Sequence, residues 1–155
     1  MSNATVTATA TTAELDPAPI PSSWILAGTP VARNRKLVKS HDRTTDTVVW
    51  ECTEGRFNWH YAEDETLVVI YGEAFITNER GEERRLGAGD MCFFPAGSSA
   101  TWRVTDTIRK VAVLRQTMPR PLVFGLRVWN KLLRMAGLAR RSPWAPIVLL
   151  CPTGM

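Results

Sequence analysis

From Thr47 to Arg115 the chain runs in short apolar segments, each closed by a turn signal, which is the texture of β-structure rather than helix. The segments predicted as strands are Thr47–Cys52, Phe57–Tyr61, Thr66–Tyr71, Ala74–Thr77, Glu83–Leu86, Met91–Phe94, Thr101–Thr105 and Arg109–Arg115. Between them lie Glu54-Gly55, Gly72, Asn78–Gly81, Gly87-Ala88-Gly89-Asp90 and Pro95-Ala96-Gly97, residues that tolerate the tight and left-handed conformations of turns. No helical repeat interrupts the series. Many short strands with Gly-rich turns and no connecting helices indicate an all-β barrel or sandwich.

The flanks read differently. Residues 1–21 are rich in Thr, Ala and Pro without periodicity and are expected to form a disordered arm. Trp24-Ile25-Leu26 is a short apolar anchor, expected either to lie across its own domain or to pair with a partner subunit's edge strand. Beyond Pro119 and Pro121 the period lengthens. Leu122, Leu126, Trp129, Leu132, Leu133 and Ala136 share one helical arc, while Arg127, Lys131, Arg134 and Arg141 gather on another. This predicts a basic amphipathic helix ending near Arg141, with Ile147–Leu150 as a last short strand or docking segment. The predicted organisation is an arm over 1–21, one β domain over 22–118, and a helix with its tail over 119–155.

Charge sharpens this division. The formal net charge is +4. The 13 Lys or Arg and 13 Asp or Glu between Trp24 and Gln116 cancel, and the six basic residues from Arg120 to Arg141 meet no acid. The β domain therefore lacks the basic face that nucleic acid requires. Any contact with a membrane surface would fall to the C-terminal helix, as a secondary reading beside packing on the domain or on a partner. Cys52, Cys92 and Cys151 fit neither a disulfide framework nor a zinc motif. With no basic, apolar leader at the N-terminus and no run long enough to span a bilayer, the expected location is cytoplasmic.

Two stretches resemble the paired motifs of the cupin superfamily. Gly55 through Gly72 is similar to the first, with Glu65 and Gly72 at the family's spacing, and Gly89-Asp90-Met91-Cys92-Phe93-Phe94-Pro95-Ala96-Gly97 is similar to the second. More narrowly, Trp50-Glu51-Cys52, Phe57 through Glu65, Phe94-Pro95-Ala96-Gly97, Trp102 and Arg109-Lys110 resemble the small ureidoglycine aminohydrolase-like cupins, a family long without assigned function. The resemblance implies a cupin (jelly-roll) β-barrel around one pocket. It also implies a site for a divalent metal (Mn, Fe, Ni or Zn) held by three His and one Glu. On this chain His60 and Glu65 match the second His and the Glu, Asn58 stands at the first His position, and Ala100 at the third. The implied metal set is therefore His60, Glu65 and Asn58, and it is incomplete.

A second reading of the strand Phe57–Tyr61 turns its other face inward. Trp59 and Tyr61 would then line an apolar pocket with Trp102 and Cys92, and Glu65 or Lys110 would orient a small ligand. Which face is interior stays open, because one β-bulge reverses the alternation. Candidate acid–base residues are Glu65, His60 and Lys110. A lone ammonium at Lys110 requires a carboxylate such as Glu65 or Glu51. Two functions follow: a metal-assisted enzyme acting on a small polar metabolite, or a non-catalytic receptor or interaction protein with a degenerate metal site. Edge strands and the apolar anchor favour a homodimer.

Overall fold

The computed structural model describes residue 5 and residues 7–138, and divides into two compact units at Thr117/Met118. The first unit is antiparallel β throughout, its elements being β1 (Asp16–Pro17), β2 (Ile25–Ala27), β3 (Ala32–Lys39), β4 (Thr45–His60), β5 (Asp64–Tyr71), β6 (Glu73–Asn78), β7 (Glu83–Gly87), β8 (Met91–Phe94) and β9 (Ser99–Arg115). Two pairs of predicted strands prove to be single long ones. Glu54-Gly55 bends β4 rather than ending it, and Thr105–Arg109 is continuous within β9. These two strands pair along nearly their whole length, from Thr45↔Arg115 to His60↔Ser99.

Each half of the long pair recruits its own neighbours. Toward Thr45 and Arg115 the order is β3-β4-β9-β5-β8. Toward His60 and Ser99, β2 joins β4 while β6 joins β9 and carries β7. The result is a nine-stranded sheet with cupin-like topology, but it does not close into the expected β-barrel. Closure requires a ladder on both sides of every strand. Here β7 pairs only with β6 and β8 only with β5, and the Gly87–Asp90 turn joining them leads the two apart.

The sheet folds around one core. Trp102, Phe57, Leu67 and Ile108 are its largest fully buried side chains, each contributing roughly 1.5–3 kcal/mol by removal from water. Trp50, Phe57 and Trp102 stack and abut within it at centroid separations of 5.9–6.3 Å. The arm is more ordered than its composition predicts. Asp16-Pro17 pairs with Arg33-Asn34, Ile20 is buried in the core, and Ala18 N–H donates to Ala32 C=O. Ile25–Ala27 pairs with β4 of the same chain at Phe57 and Arg56, so the anchor lies on its own domain.

In the second unit α1 spans Arg120–Met135, with Pro121 in its first turn and Gly137 at positive φ just past its end. It stops earlier than the sequence suggests, and the predicted segment Ile147–Leu150 lies outside the described residues. Among the described residues no helix is long and apolar enough to cross a membrane.

Candidate functional site

The site is governed by an irregularity in β4. Trp50 and Cys52 belong to the core, and with a period of two the even positions would continue to Asn58 and His60. Between Thr53 and Gly55 the register against β9 shifts by one residue. After this bulge the odd positions face the core: Phe57 and Tyr61 are buried, Trp59 is half-buried, and His60 is exposed. Gly55 is needed there, because a Cβ would stand 2.8 Å from the Pro30 ring. The aromatic face of this strand is thus interior, which decides between the two readings of Phe57–Tyr61.

At the centre lies a buried ion pair. Lys110 Nζ donates to Glu65 Oε1 at 2.6 Å, and the two side chains are only 5 % and 7 % exposed. Register explains the meeting. Lys110 lies opposite Trp50 on one side and Val69 on the other, and Glu65 lies opposite Leu114, so the lysine stem runs along the interior face of β9 toward the carboxylate. The ammonium also stands 4.8 Å from the Trp50 ring centroid and 4.6 Å from that of Trp102, within cation–π range. Trp102 Nε1 in turn donates to the Tyr61 hydroxyl at 2.9 Å. Burial, assisted by the nearby Glu65 charge, drives the Tyr61 phenol far above its ordinary pKa, so it stays a neutral hydroxyl.

Around this centre are two cavities. One, of about 220 Å³, is lined by Trp59, His60, Tyr61, Ala62, Glu63, Glu65 and Leu114. The other, of about 330 Å³, opens where β7 and β8 diverge and includes Cys92 and Phe94 in its lining. Tyr61 and Phe94 stack at 4.2 Å, with one ring lining each cavity. Trp24 leans edge-on against Trp59 and His60, at 5.6 and 4.9 Å.

The implied metal ligands do not combine. His60 Nδ1 is hydrogen-bonded to Ser99 Oγ at 2.8 Å on the outer face, and Asn58 Oδ1 accepts from Thr101 Oγ1 at 2.8 Å. The Glu65 carboxylate is already neutralised by Lys110. Only His60 and Glu65 share a cavity, and among the described residues no group of three or more His, Cys, Asp or Glu is placed to hold a metal ion. The donor set therefore does not fit a divalent metal, and the buried ammonium supplies the positive charge beside Glu65. Cys92 is half-buried and its thiol pKa is raised by burial, so it is a wall of the second cavity rather than an activated nucleophile.

Sequence reasoning brought Glu65, Lys110, Tyr61, Trp102 and Trp59 to one place but overlooked Trp50 and Phe94. Trp50 was legible as the alternation partner of Cys52. Its approach to Lys110 was not, because it depends on the pairing of β4 with β9.

Residues 39–112 match the EutQ-like cupin domain. No curated protein matches the chain. Among solved structures, the chain is similar to a DUF861 protein of unknown function from Pseudomonas syringae pv. tomato, at 24 % identity over 66 % of this chain with a TM-score of 0.62. It also resembles a putative ethanolamine utilization protein Q from Salmonella typhimurium, at 26 % identity over 57 % of this chain and 72 % of that one, with a TM-score of 0.51. The EutQ protein of Clostridium difficile gives 24 % identity over 57 % of this chain with a TM-score of 0.50. The chain spans 45 % of the length of the Pseudomonas protein and 65 % of the Clostridium protein. Over residues 39–112 the chain thus resembles the EutQ-like cupin domain, and its fold is cupin-like.

Proposed function

We propose that this chain is a cupin receptor for a small, neutral polar metabolite, bound without a protein-held metal in the cavity of Trp59, Tyr61 and Glu65. The buried Lys110–Glu65 pair carries this reading. It presents a carboxylate whose charge is already balanced, so an uncharged ligand with N–H donors suits it better than a cation. Trp59 offers such a ligand an apolar wall. The ureidoglycine aminohydrolase-like reading would instead route chemistry through a metal on His60, Glu65 and Asn58. Their separate hydrogen bonds oppose it.

The test is titration of the full chain with acetamide, methylurea and imidazole, followed by tryptophan emission. Saturable change with at least one of them, lost in Trp59→Ala and in Glu65→Leu/Lys110→Met at retained circular dichroism, supports the site. Roughly stoichiometric divalent metal in protein purified without chelator, with ligand binding lost on its removal, would overturn it in favour of the metalloenzyme.

Pairing with a second copy belongs to the same proposal. Val68, Met91, Phe93 and Val113 expose apolar side chains side by side on β5, β8 and β9, and β8 has a free edge. An uncharged patch on a free edge can meet its own copy about a two-fold axis. Sedimentation velocity should find a homodimer that Phe93→Glu dissociates, and a monomeric parent chain would refute it.

A further inference from the structure

The cavity at the open seam has a composition that the Glu65 site does not explain. Its floor is core: Ile76, Leu86, Phe94 and Ala100 are all at least nine-tenths buried, with half-buried Cys92 beside them. Its rim is charged. Glu79 and Glu82 stand there with Arg80 and Arg84.

The four rim charges are not equivalent. Glu79 Oε1 accepts from the Ser99 backbone N–H at 2.7 Å, and Glu82 Oε2 accepts from Asn78 Nδ2 at 2.9 Å. Asn78 Oδ1 further accepts from the N–H groups of Arg80 and Glu82. Both carboxylates are thereby tied into the β6–β7 turn and the start of β9. The guanidinium groups are not. Among the described residues neither Arg80 nor Arg84 makes an ion pair or side-chain hydrogen bond, whereas neighbouring Arg85 and Arg103 pair with Glu73 and Glu83.

We infer that the seam cavity is a second binding site, for a monocarboxylate with a short apolar body. The body would enter between β7 and β8 onto Leu86, Cys92 and Phe94, and the carboxylate would remain at the rim with Arg80 and Arg84. Three features favour this class. A volume of about 330 Å³ lies at the small end of ligand pockets. A purely polar solute would leave the buried floor without a partner. An uncharged apolar solute would leave the two unpaired guanidinium forks unused, although these match a carboxylate. The site does not depend on the Glu65 reading, since the Tyr61–Phe94 stack has its other face on that cavity.

The test uses the full chain, hexanoate as probe, and hexanol and acetate as controls. Hexanoate should shift the backbone amide resonances of β7, β8 and residues 98–100, saturably. It should also slow alkylation of Cys92 by N-ethylmaleimide. Hexanol and acetate should each bind at least about tenfold more weakly, one lacking the charge-assisted hydrogen bonds and the other the buried body. The double variant Arg80→Gln/Arg84→Gln changes only exposed side chains, so it should fold normally and lose about tenfold in hexanoate affinity. Saturating methylurea, the probe of the Glu65 cavity, should leave hexanoate affinity unchanged, which separates failure of the first site from failure of this one. Equal affinity for hexanoate and hexanol, unchanged affinity in the arginine variant, or shifts confined to other strands would overturn the inference.

Discussion

Replacing Lys110 with Met removes one charge from the centre of the molecule while keeping most of the stem's length and volume. Because the Lys110 and Glu65 side chains are 5 % and 7 % exposed, water from the adjoining cavity replaces little of the ammonium's contact with Glu65. An exposed pair would contribute at most about 1 kcal/mol, but stranding a buried carboxylate costs about 3–5 kcal/mol. Loss of the Trp50 and Trp102 contacts adds roughly 0.5–2 kcal/mol. Lys110→Met should therefore approach the limit of what a domain of this size tolerates, given total stabilities of about 5–15 kcal/mol. The companion Glu65→Leu/Lys110→Met removes both charges and should recover most of the loss, since an apolar pair of similar volume is often neutral or stabilising. Urea unfolding of the parent, both single variants and the double variant at pH 7 gives the coupling energy directly. A Lys110→Met loss below about 1 kcal/mol, or a double variant no more stable than Lys110→Met, would refute the account of a buried ion pair.

Three further outcomes follow from other parts of the structure. Gly72→Ala should destabilise the domain by at least about 2 kcal/mol in the same unfolding assay, because φ is +77° and the new Cβ would fall 1.8 Å from Thr107 O. Burial pushes the Cys52 thiol up to about 12, so maleimide at pH 8 followed by mass spectrometry should leave Cys52 unmodified in the native chain and label it in urea. Hydrogen bonds from the Ser40 hydroxyl and from the Thr44 N–H and hydroxyl hold Asp42 at about 2 against an ordinary 3.8. A depressed carboxylate stabilises the folded state above its unfolded value and loses that contribution as pH falls through the folded one. Ordering of the Ser40–Thr45 loop, followed by the Asp42 side-chain resonance, should thus fade between about pH 3.8 and 2 and not above.

How much of this was legible depends on how local the cause is. The turns at Gly72, Asn78–Gly81 and Gly87–Asp90 follow from residues that accept tight backbone geometry, and the strands between them from their apolar content. The strand Ala32–Lys39 was missed, since Arg33, Arg35, Lys36 and Lys39 give it a polar surface and only its pairing with β4 makes it a strand. The arm was misread for a related reason. Its composition lacks a core of its own, but Arg35 and Arg109 hold the carbonyls of Glu14 and Ala13 from the outside.

The chain by itself determined that a domain of many short β-strands forms and that an interior Lys110 needs a carboxylate beside it. Both follow from residue type and short-range spacing, while the likeness to cupins rests on the motifs Gly55–Gly72 and Gly89–Gly97. Two matters were left to the tertiary structure. One is closure, because whether β7 bonds to β8 depends on where each strand finds its ladder, and here each finds it elsewhere. The other is the interior face of β4. Strand side chains alternate with a period of two, so the single bulge at Gly55 reverses every position after it. That one-residue shift sends Asn58 and His60 outward, turns Trp59 and Tyr61 inward, and leaves Lys110 as the partner of Glu65.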